Sequence, residues 1–153
     1  MHQKIIILDF GSQYTQLIAR RIRELNVYCE IHPWNKAPEM GSDIVGVILS
    51  VSPFSVLDES SPKPNLSRIK GKLPLLGVCF GAQFLAENHG GKVLPSSTRE
   101  YGRAILSKVD NQYAISKDLT VDSQVWMSHG DTIKQVPEHY KIFASTDEVA
   151  VAG

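Results

Sequence analysis

The sequence is poor in cysteine, in long apolar runs and in any excess of charge. Its 153 residues hold two cysteines, Cys29 and Cys79, too far apart for a CxxC redox pair or a zinc-ligand spacing. The longest apolar stretch near the N-terminus, Ile5 to Leu8, is far shorter than a signal-peptide core or a membrane span. These absences predict a cytoplasmic protein with no metal site.

The charged residues exclude two classes of partner. Sixteen basic side chains balance sixteen acidic ones, and no run of one sign is long enough to follow a nucleic-acid backbone or an anionic membrane. The predicted partner is therefore a small molecule or another protein. With 42% apolar residues, the chain can bury one core, which predicts a single globular domain.

Short apolar runs predict several strands. The first, Lys4 to Leu8, is continuous rather than alternating, which is typical of a parallel strand covered on both faces. Further strands are predicted at residues 27–31, 44–49, 73–78 and 92–94, and the chain after residue 103 is rich in strand patterns.

Two segments predict helices between these strands. The first begins near Thr15 and ends at Asn26, and the second covers residues 82–88 before a Gly-Gly pair. The apolar stripe of the first helix consists of Leu17, Ile18, Ile22 and Leu25. Residues 51–72 predict a long loop with one short helix near 66–69. This alternation predicts an α/β fold, a doubly wound and mostly parallel sheet flanked by helices.

Gly77-Val-Cys79-Phe-Gly81 is the strongest chemical motif. A cysteine between two glycines, where a buried strand meets a helix, is typical of a nucleophile elbow, in which a sharp turn exposes the nucleophile. The start of a helix favours thiolate at Cys79 and makes the Phe80 amide a candidate oxyanion donor. An inert core cysteine between two turn glycines fits the motif almost equally well.

Two further segments admit a catalytic and a structural interpretation. The loop at residues 48–53 leaves a buried strand at the rim where parallel sheets bind ligands, so one of its amides is a possible second oxyanion donor. A plain strand exit explains the same residues. In the segment Trp126 to Asp131, His129 is a candidate base for Cys79, although a lone histidine is more often structural.

Asp9 to Thr15 also admits two interpretations. Its amides precede a helix and could hold a phosphate. The alternative, which we favour, is a turn in which Thr15 caps the helix.

Four motifs occurring in one order, DFGSQYTQL, GVCFGAQ, REYG and WMSHGD, resemble the class I glutamine amidotransferase domain of GMP synthases. The resemblance covers residues 4–147 and implies the flavodoxin-like fold of that family. It implies that Cys79 attacks the side-chain amide of glutamine and releases ammonia. The ammonia would then aminate adenylylated xanthosine monophosphate on a separate synthetase (ATP pyrophosphatase) domain or subunit.

The same resemblance implies roles for individual residues. The backbone amides of Ser52 and Phe80 would form the oxyanion hole. The residues that would hold glutamine are Gln83, Ser128, His129, Gly130 and Asp131. No cofactor is implied here, since ATP and Mg²⁺ would bind to the synthetase half, and the full-length protein is expected to be a homodimer.

The sequence departs from the family pattern in two places, and each departure predicts weaker catalysis. The family's base lies in a His-Pro-Glu motif, and none of the five histidines here is followed by Pro-Glu. The domain is therefore expected to be C-terminally incomplete and inactive alone, because the thiol would have no base. Val51 stands where the family usually has glycine. If that position needs positive φ, the oxyanion hole would be half formed.

Two other functions remain alternatives. A flavodoxin-like binding module could hold a flavin phosphate after the first strand. A relative that has lost catalysis could serve only to bind a synthetase partner.

Overall fold

The computed structural model describes residues 2–153, except for the side chains of residues 97–100, and the chain divides into two compact units. The first unit ends at Leu85 and the second begins at Ala86. The elements of the first unit are β1 (Lys4–Asp9), α1 (Tyr14–Glu24), β2 (Cys29–Pro33), β3 (Ile44–Leu49), β4 (Leu75–Gly77) and the start of α2 (Phe80–Asn88). Those of the second are β5 (Lys92–Val109), β6 (Gln124–Gln135) and β7 (Ala144–Thr146).

The first unit is built on a four-stranded parallel sheet in the order β2-β1-β3-β4. The chain passes from β1 to β2 on one side and then returns to β3 on the other. The carboxyl ends of β1 and β3 therefore form the switch point at which open α/β sheets bind ligands. The predicted α/β fold class is confirmed.

Both faces of this sheet are buried, as the continuous apolar pattern of β1 predicts. Ile6 and Leu8 point into one cluster, whereas Ile7 points into the other, because side chains alternate along a strand. Ala19 and Ile22 of α1 cover the second face. The first is covered by Leu66 and Ile69 of the long loop and by Phe80, Phe84 and Leu85 of α2.

The predicted stripe of α1 is partly wrong. Leu17 and Leu25 are 53% and 75% exposed, and the buried residues of the helix are Thr15, Ala19 and Ile22. These three follow the i, i+4, i+7 spacing of one helical face, and two of them are small, which lets the helix lie close to the sheet. The predicted end is confirmed: Asn26 has a φ of 58° and donates its amide to the Arg23 carbonyl at 2.9 Å.

Other predicted bounds also shift. β2 begins at Cys29 rather than at residue 27, because pairing with β1 starts at Ile5 opposite Cys29. β4 is shorter than predicted, and α2 begins two residues earlier. Residues 66–69 form hydrogen-bonded turns instead of the predicted short helix, with the Lys70 amide donating to the Leu66 carbonyl at 2.8 Å.

The second unit is an antiparallel sheet in the order β6-β5-β7. β5 is 18 residues long and continues far beyond the predicted segment at 92–94, with an irregularity between Pro95 and Glu100. Periodicity could not reveal this length, because the irregularity interrupts the alternation of side chains. Across residues 2–153, no helix combines the length and the hydropathy needed to cross a membrane.

Candidate active site

Cys79 lies in the turn between β4 and α2 and has a φ of 49°. A positive φ is unfavourable for a residue with a side chain and persists only where the surrounding structure enforces it. Cys79 is partly exposed and forms no disulfide. The turn therefore presents the sulfur in the strained conformation that the elbow motif predicts.

Gly77 and Gly81 enforce this turn because neither position has space for a side chain. A Cβ at Gly77 would lie 2.6 Å from the amide nitrogen of Ala82. A Cβ at Gly81 would lie 2.6 Å from the Cβ of Leu49 and even closer to its carbonyl oxygen. The Gly81 amide also donates to the Ser50 carbonyl at 3.2 Å. The elbow is thus pressed against the end of β3 by direct backbone contact.

Burial acts on the ionisation of Cys79 in the direction opposite to the predicted effect of the helix start. It raises the pKa of the Cys79 thiol, because the low-dielectric surroundings disfavour the charged thiolate. The prediction that the helix start favours the thiolate stays a prediction. A separate base must take the proton before the sulfur can attack.

Phe80 and Gln83 occupy the first turn of α2. The Phe80 ring is 2% exposed, and its centroid lies 5.2 Å from that of Phe10, so this side chain belongs to the core. The Phe80 amide remains a predicted oxyanion donor. Gln83 is 8% exposed and donates its backbone amide to the Cys79 carbonyl at 3.0 Å, which places it one turn after Cys79 on the same face of the helix.

Ser50 follows β3 directly and is fully buried. Its hydroxyl oxygen accepts from the Phe10 amide at 3.3 Å and lies 3.1 Å from the Thr15 hydroxyl. It also donates to the Val51 carbonyl at 3.4 Å. Sequence reasoning treated this serine only as part of a loop. The position of Ser50 directly after a buried strand could have indicated a buried hydroxyl, and a buried hydroxyl needs hydrogen-bond partners.

Val51 does not adopt a positive φ, unlike Cys79, within the part of the chain that the structure describes. The conformation that would require glycine is therefore absent at this position. Ser52, the next residue, is half-buried, and its hydroxyl accepts from the Phe54 amide at 3.2 Å. The oxyanion role of the Ser52 amide stays a prediction.

The segment Asp9 to Thr15 is closed by its own hydrogen bonds. The Thr15 hydroxyl donates to the Asp9 carboxylate at 2.8 Å, and the Gly11 amide donates to the same oxygen at 2.9 Å. The N-cap of α1 is Gln13, with no side-chain cap, so the prediction that Thr15 caps this helix is wrong. These two donors are already engaged with the Asp9 carboxylate, and the negative charge of that carboxylate would repel a phosphate.

Ser128, His129, Gly130 and Asp131 lie on β6 in the second unit. Side chains alternate along a strand, so His129 and Asp131 share one face, which is half-buried. Ser128 and Gly130 share the opposite, exposed face. Ser128 pairs there with Tyr101 of the predicted REYG motif, whose Arg99 and Glu100 side chains lie outside the described residues. The candidate residues Cys79, Phe80, Gln83 and Ser52 belong to the first unit.

The family model described as glutamine amidotransferase class I matches residues 6–153. The chain belongs to the class I glutamine amidotransferase family. This confirms the family predicted from the four motifs. In this amidotransferase the strained turn at Cys79 occupies the position that the GVCFGAQ motif indicated.

Relatives at high identity are GMP synthases. The chain is 63% identical to the glutamine-hydrolysing GMP synthase of Phocaeicola vulgatus and 60% identical to that of Cytophaga hutchinsonii, over 99% of this chain in each case. It covers 29% and 30% of those two proteins. The chain therefore spans less than a third of the length of the curated relatives it matches.

Two solved structures share the fold. A Thermoplasma acidophilum protein, proposed to be one of the subunits of a GMP synthase, superposes with a TM-score of 0.79 at 26% identity, covering 99% of this chain and 76% of that one. A glutamine amidotransferase of Thermotoga maritima gives a TM-score of 0.69 at 17% identity, covering 97% and 69% respectively. The second likeness concerns the fold alone.

Proposed function

We propose that this chain is the glutaminase part of a GMP synthase and that it hydrolyses glutamine through a thioester at Cys79. The observation that carries the proposal is the φ of 49° at Cys79, held between Gly77 and Gly81, where no side chain fits. An inert core cysteine needs no such conformation. The identity to two GMP synthases over almost the whole chain supports a GMP synthase rather than another class I glutamine amidotransferase.

The proposed reaction has two steps. In the first, the Cys79 sulfur attacks the side-chain amide carbon of glutamine, and the amides of Ser52 and Phe80 stabilise the negative oxygen of the tetrahedral intermediate. The carbon–nitrogen bond then breaks, and ammonia leaves after receiving a proton. In the second, water attacks the thioester, which releases glutamate and restores the thiol.

The proton transfers need a base, and these 153 residues contain no His-Pro-Glu motif to provide it. Burial raises the pKa of the Cys79 thiol, and no histidine of the sequence is followed by Pro-Glu. We therefore propose that the base and its orienting glutamate lie outside this sequence, and that the 153 residues alone hydrolyse glutamine poorly. General acid–base catalysis contributes a factor of about 10²–10⁴ to such reactions.

Gln83 of the first unit is a proposed glutamine contact, and residues of the β6 segment in the second unit are proposed contacts as well. Gln83 lies one turn from Cys79, which suits a contact to a substrate held at the sulfur. His129 and Asp131 share a strand face, so their side chains can contact one ligand together. Ser128 and Gly130 face the other way, so we assign them main-chain contacts.

The ammonia is proposed to aminate adenylylated xanthosine monophosphate on a synthetase (ATP pyrophosphatase) domain or subunit. The name and the greater length of the matched relatives support a further part of this kind. ATP and Mg²⁺ would bind there, and the whole protein would be a homodimer. We propose the cytoplasm as its compartment, because a reducing environment keeps free cysteines such as Cys29 and Cys79 in the thiol form.

Covalent labelling with diazo-oxo-norleucine, a glutamine analogue with an electrophilic carbon, tests the nucleophile. Mass spectrometry of peptides would compare the wild type with Cys79→Ala and with Cys29→Ala, the matched removal of the buried cysteine of β2. The series would be repeated with the chain extended past Gly153 to include a His-Pro-Glu segment. We expect a label on Cys79 that Cys29→Ala keeps, that Cys79→Ala abolishes and that the extension strengthens.

The outcomes separate the alternatives. No label on Cys79 in either form would reject the glutaminase and favour a domain that only binds a synthetase partner. Labelling of Cys29 and Cys79 to the same extent would indicate ordinary alkylation rather than a glutamine pocket.

A further inference from the structure

The antiparallel pair of β5 and β6 exposes large side chains on one of its faces. Trp126 is 71% exposed and lies opposite Arg103. Tyr101 is 64% exposed and lies opposite Ser128. Directly opposite residues of an antiparallel pair project to the same face, and so do residues two positions apart on one strand. We call the face formed by Tyr101, Arg103, Ile105 and Trp126 the outer face of this pair.

The opposite face of the same two strands is half-buried. It carries Ala104 on β5 and Val125 and Met127 on β6, which alternate along the strands with the exposed residues. The strands therefore have one covered side and one open side. The exposure of Trp126 belongs to the open side of a paired strand and not to a frayed end, since β6 begins two residues earlier.

The side chains of the outer face are of the types that protein–protein interfaces favour. Tryptophan, tyrosine and arginine are enriched among the residues that dominate binding energy. Adjacent large apolar side chains that remain exposed mark an interaction site more often than singly scattered ones do. Arg103 forms no ion pair within the part of the chain that the structure describes, so its charge can pair with a carboxylate of a partner.

The chemistry of the proposed reaction indicates which partner this is. Ammonia that escapes into water is protonated to ammonium, which is not a nucleophile, so the part that consumes ammonia has to lie close to the bound glutamine. The outer face continues into the β6 segment proposed to contact glutamine. Tyr101 lies opposite Ser128, and a Cβ at Gly130 would lie 3.8 Å from the Tyr101 hydroxyl oxygen. A partner on the outer face would therefore border Ser128 and Gly130.

The lengths of the relatives are consistent with such a partner. The chain covers 29% and 30% of the two GMP synthases, but 76% of the Thermoplasma acidophilum protein. Most of the additional length of the GMP synthases therefore lies beyond the length of that protein.

We propose that the outer face of the β5–β6 pair is the docking surface for the synthetase (ATP pyrophosphatase) part of the protein. This inference rests on the proposed function. Trp126 and Ile105 would pack into an apolar depression of the partner, and Arg103 would pair with one of its carboxylates. Docking at this face would bring the consumer of ammonia next to the β6 segment.

Photo-cross-linking identifies what lies on the outer face. The experiment uses the whole protein that contains these 153 residues, whether it is one chain or two subunits. The photoreactive amino acid p-benzoylphenylalanine would replace Trp126 and, as the matched control, Tyr28, a residue of the first unit that is 56% exposed. Mass spectrometry after irradiation would identify the attached peptides. We expect position 126 to attach to peptides of the synthetase part and position 28 not to do so.

The rates of GMP formation from glutamine and from added ammonium chloride test whether this docking serves the reaction. Both rates would be measured for the wild type, Trp126→Ala, Arg103→Glu, Tyr101→Ala and the control Tyr28→Ala. Loss of one dominant contact weakens an interface by about 30-fold, so formation from glutamine should fall by a factor of up to about 30 in the Trp126 and Arg103 variants. Formation from ammonium should stay at the wild-type rate, because ammonia from solution does not need the docked arrangement. Tyr28→Ala should keep both rates.

The other outcomes overturn the proposal. Attachment of position 126 to a second copy of this segment would identify a homodimer interface. Attachment to another segment of the amidotransferase domain would make the outer face part of that domain's own packing. No attachment, or full formation of GMP from glutamine in both Trp126→Ala and Arg103→Glu, would show that the synthetase part docks elsewhere.

The test separates this inference from the function on which it rests. A wild type that forms GMP from ammonium but not from glutamine, and that takes no label on Cys79, would reject the proposed glutaminase. A wild type that uses glutamine, with position 126 not attached to the synthetase part, would reject the docking surface alone.

Discussion

Gly81→Ala is the sharpest test of how the elbow is built. The new methyl group would lie 2.6 Å from the Cβ of Leu49 and 2.8 Å from its carbonyl carbon, well inside van der Waals contact. Leu49 belongs to a central strand and is fully buried, so neither residue can move away easily. Overpacking of this kind costs about 3 kcal/mol, at the upper end of the usual range. For a chain of this size the melting temperature should then fall by about 6–12 °C.

Gly71→Ala is the matched control, since Gly71 has a φ of 71° and nothing within 4 Å of its new methyl group. It should lose only about 1–2 kcal/mol, the conformational cost of placing alanine at positive φ. Thermal unfolding followed by circular dichroism would measure both variants against the wild type. If Gly81→Ala loses no more than Gly71→Ala, then the elbow is not held by contact with β3, and the reasoning fails.

Three further predictions concern Thr15, Glu30 and Cys79. Thr15→Val should cost about 1–3 kcal/mol in chemical denaturation, because it removes one hydrogen-bond partner each from the Asp9 carboxylate and the buried Ser50 hydroxyl, whereas Thr15→Ser should lose less. Hydrogen bonds from His32 and then Lys4 lower the pKa of Glu30, so its stabilising effect is present above the unfolded pKa and lost as pH falls through the folded one. The difference in melting temperature between the wild type and Glu30→Gln should therefore shrink below about pH 4, and a constant difference would contradict this. Because burial raises the pKa of the Cys79 thiol, its alkylation by iodoacetamide, followed by peptide mass spectrometry, should increase with pH along a profile shifted to higher pH than that of a free cysteine peptide. A profile shifted to lower pH would show that the start of α2 outweighs burial.

The sequence predicted the parallel half of the fold well, because its strands are continuous apolar runs. β3 matches the predicted segment at both ends. The errors occur where packing against other elements decides which residues of a helix or strand are buried. In α1 the sheet selects a face with Thr15 and Ala19, so Leu17 remains exposed although it is more hydrophobic. β5 was underestimated because its irregularity breaks the alternation on which strand prediction depends.

The candidate site was predictable to the extent that it is local in sequence. Cys79 and its two glycines lie within five consecutive residues, and the structure gives them the predicted strained turn. The partners of Thr15 and Ser50 could not be predicted in this way, because they come together only when β1 and β3 pair. The division of the β6 segment into two faces follows from strand alternation, but only once residues 128–131 are known to form a strand.

The geometry and the ionisation of Cys79 arise from different sources. The strained φ is enforced by backbone contacts of Gly77 and Gly81 within the first unit, so the sulfur is placed by residues close to it in sequence. Burial of the thiol, in contrast, raises its pKa, so the contacts that place the sulfur do not themselves make it lose its proton. A buried elbow of this kind therefore gains a reactive thiolate only when a base is brought to it. This separates the placement of the nucleophile from its activation and leaves activation open to control by whatever delivers the base.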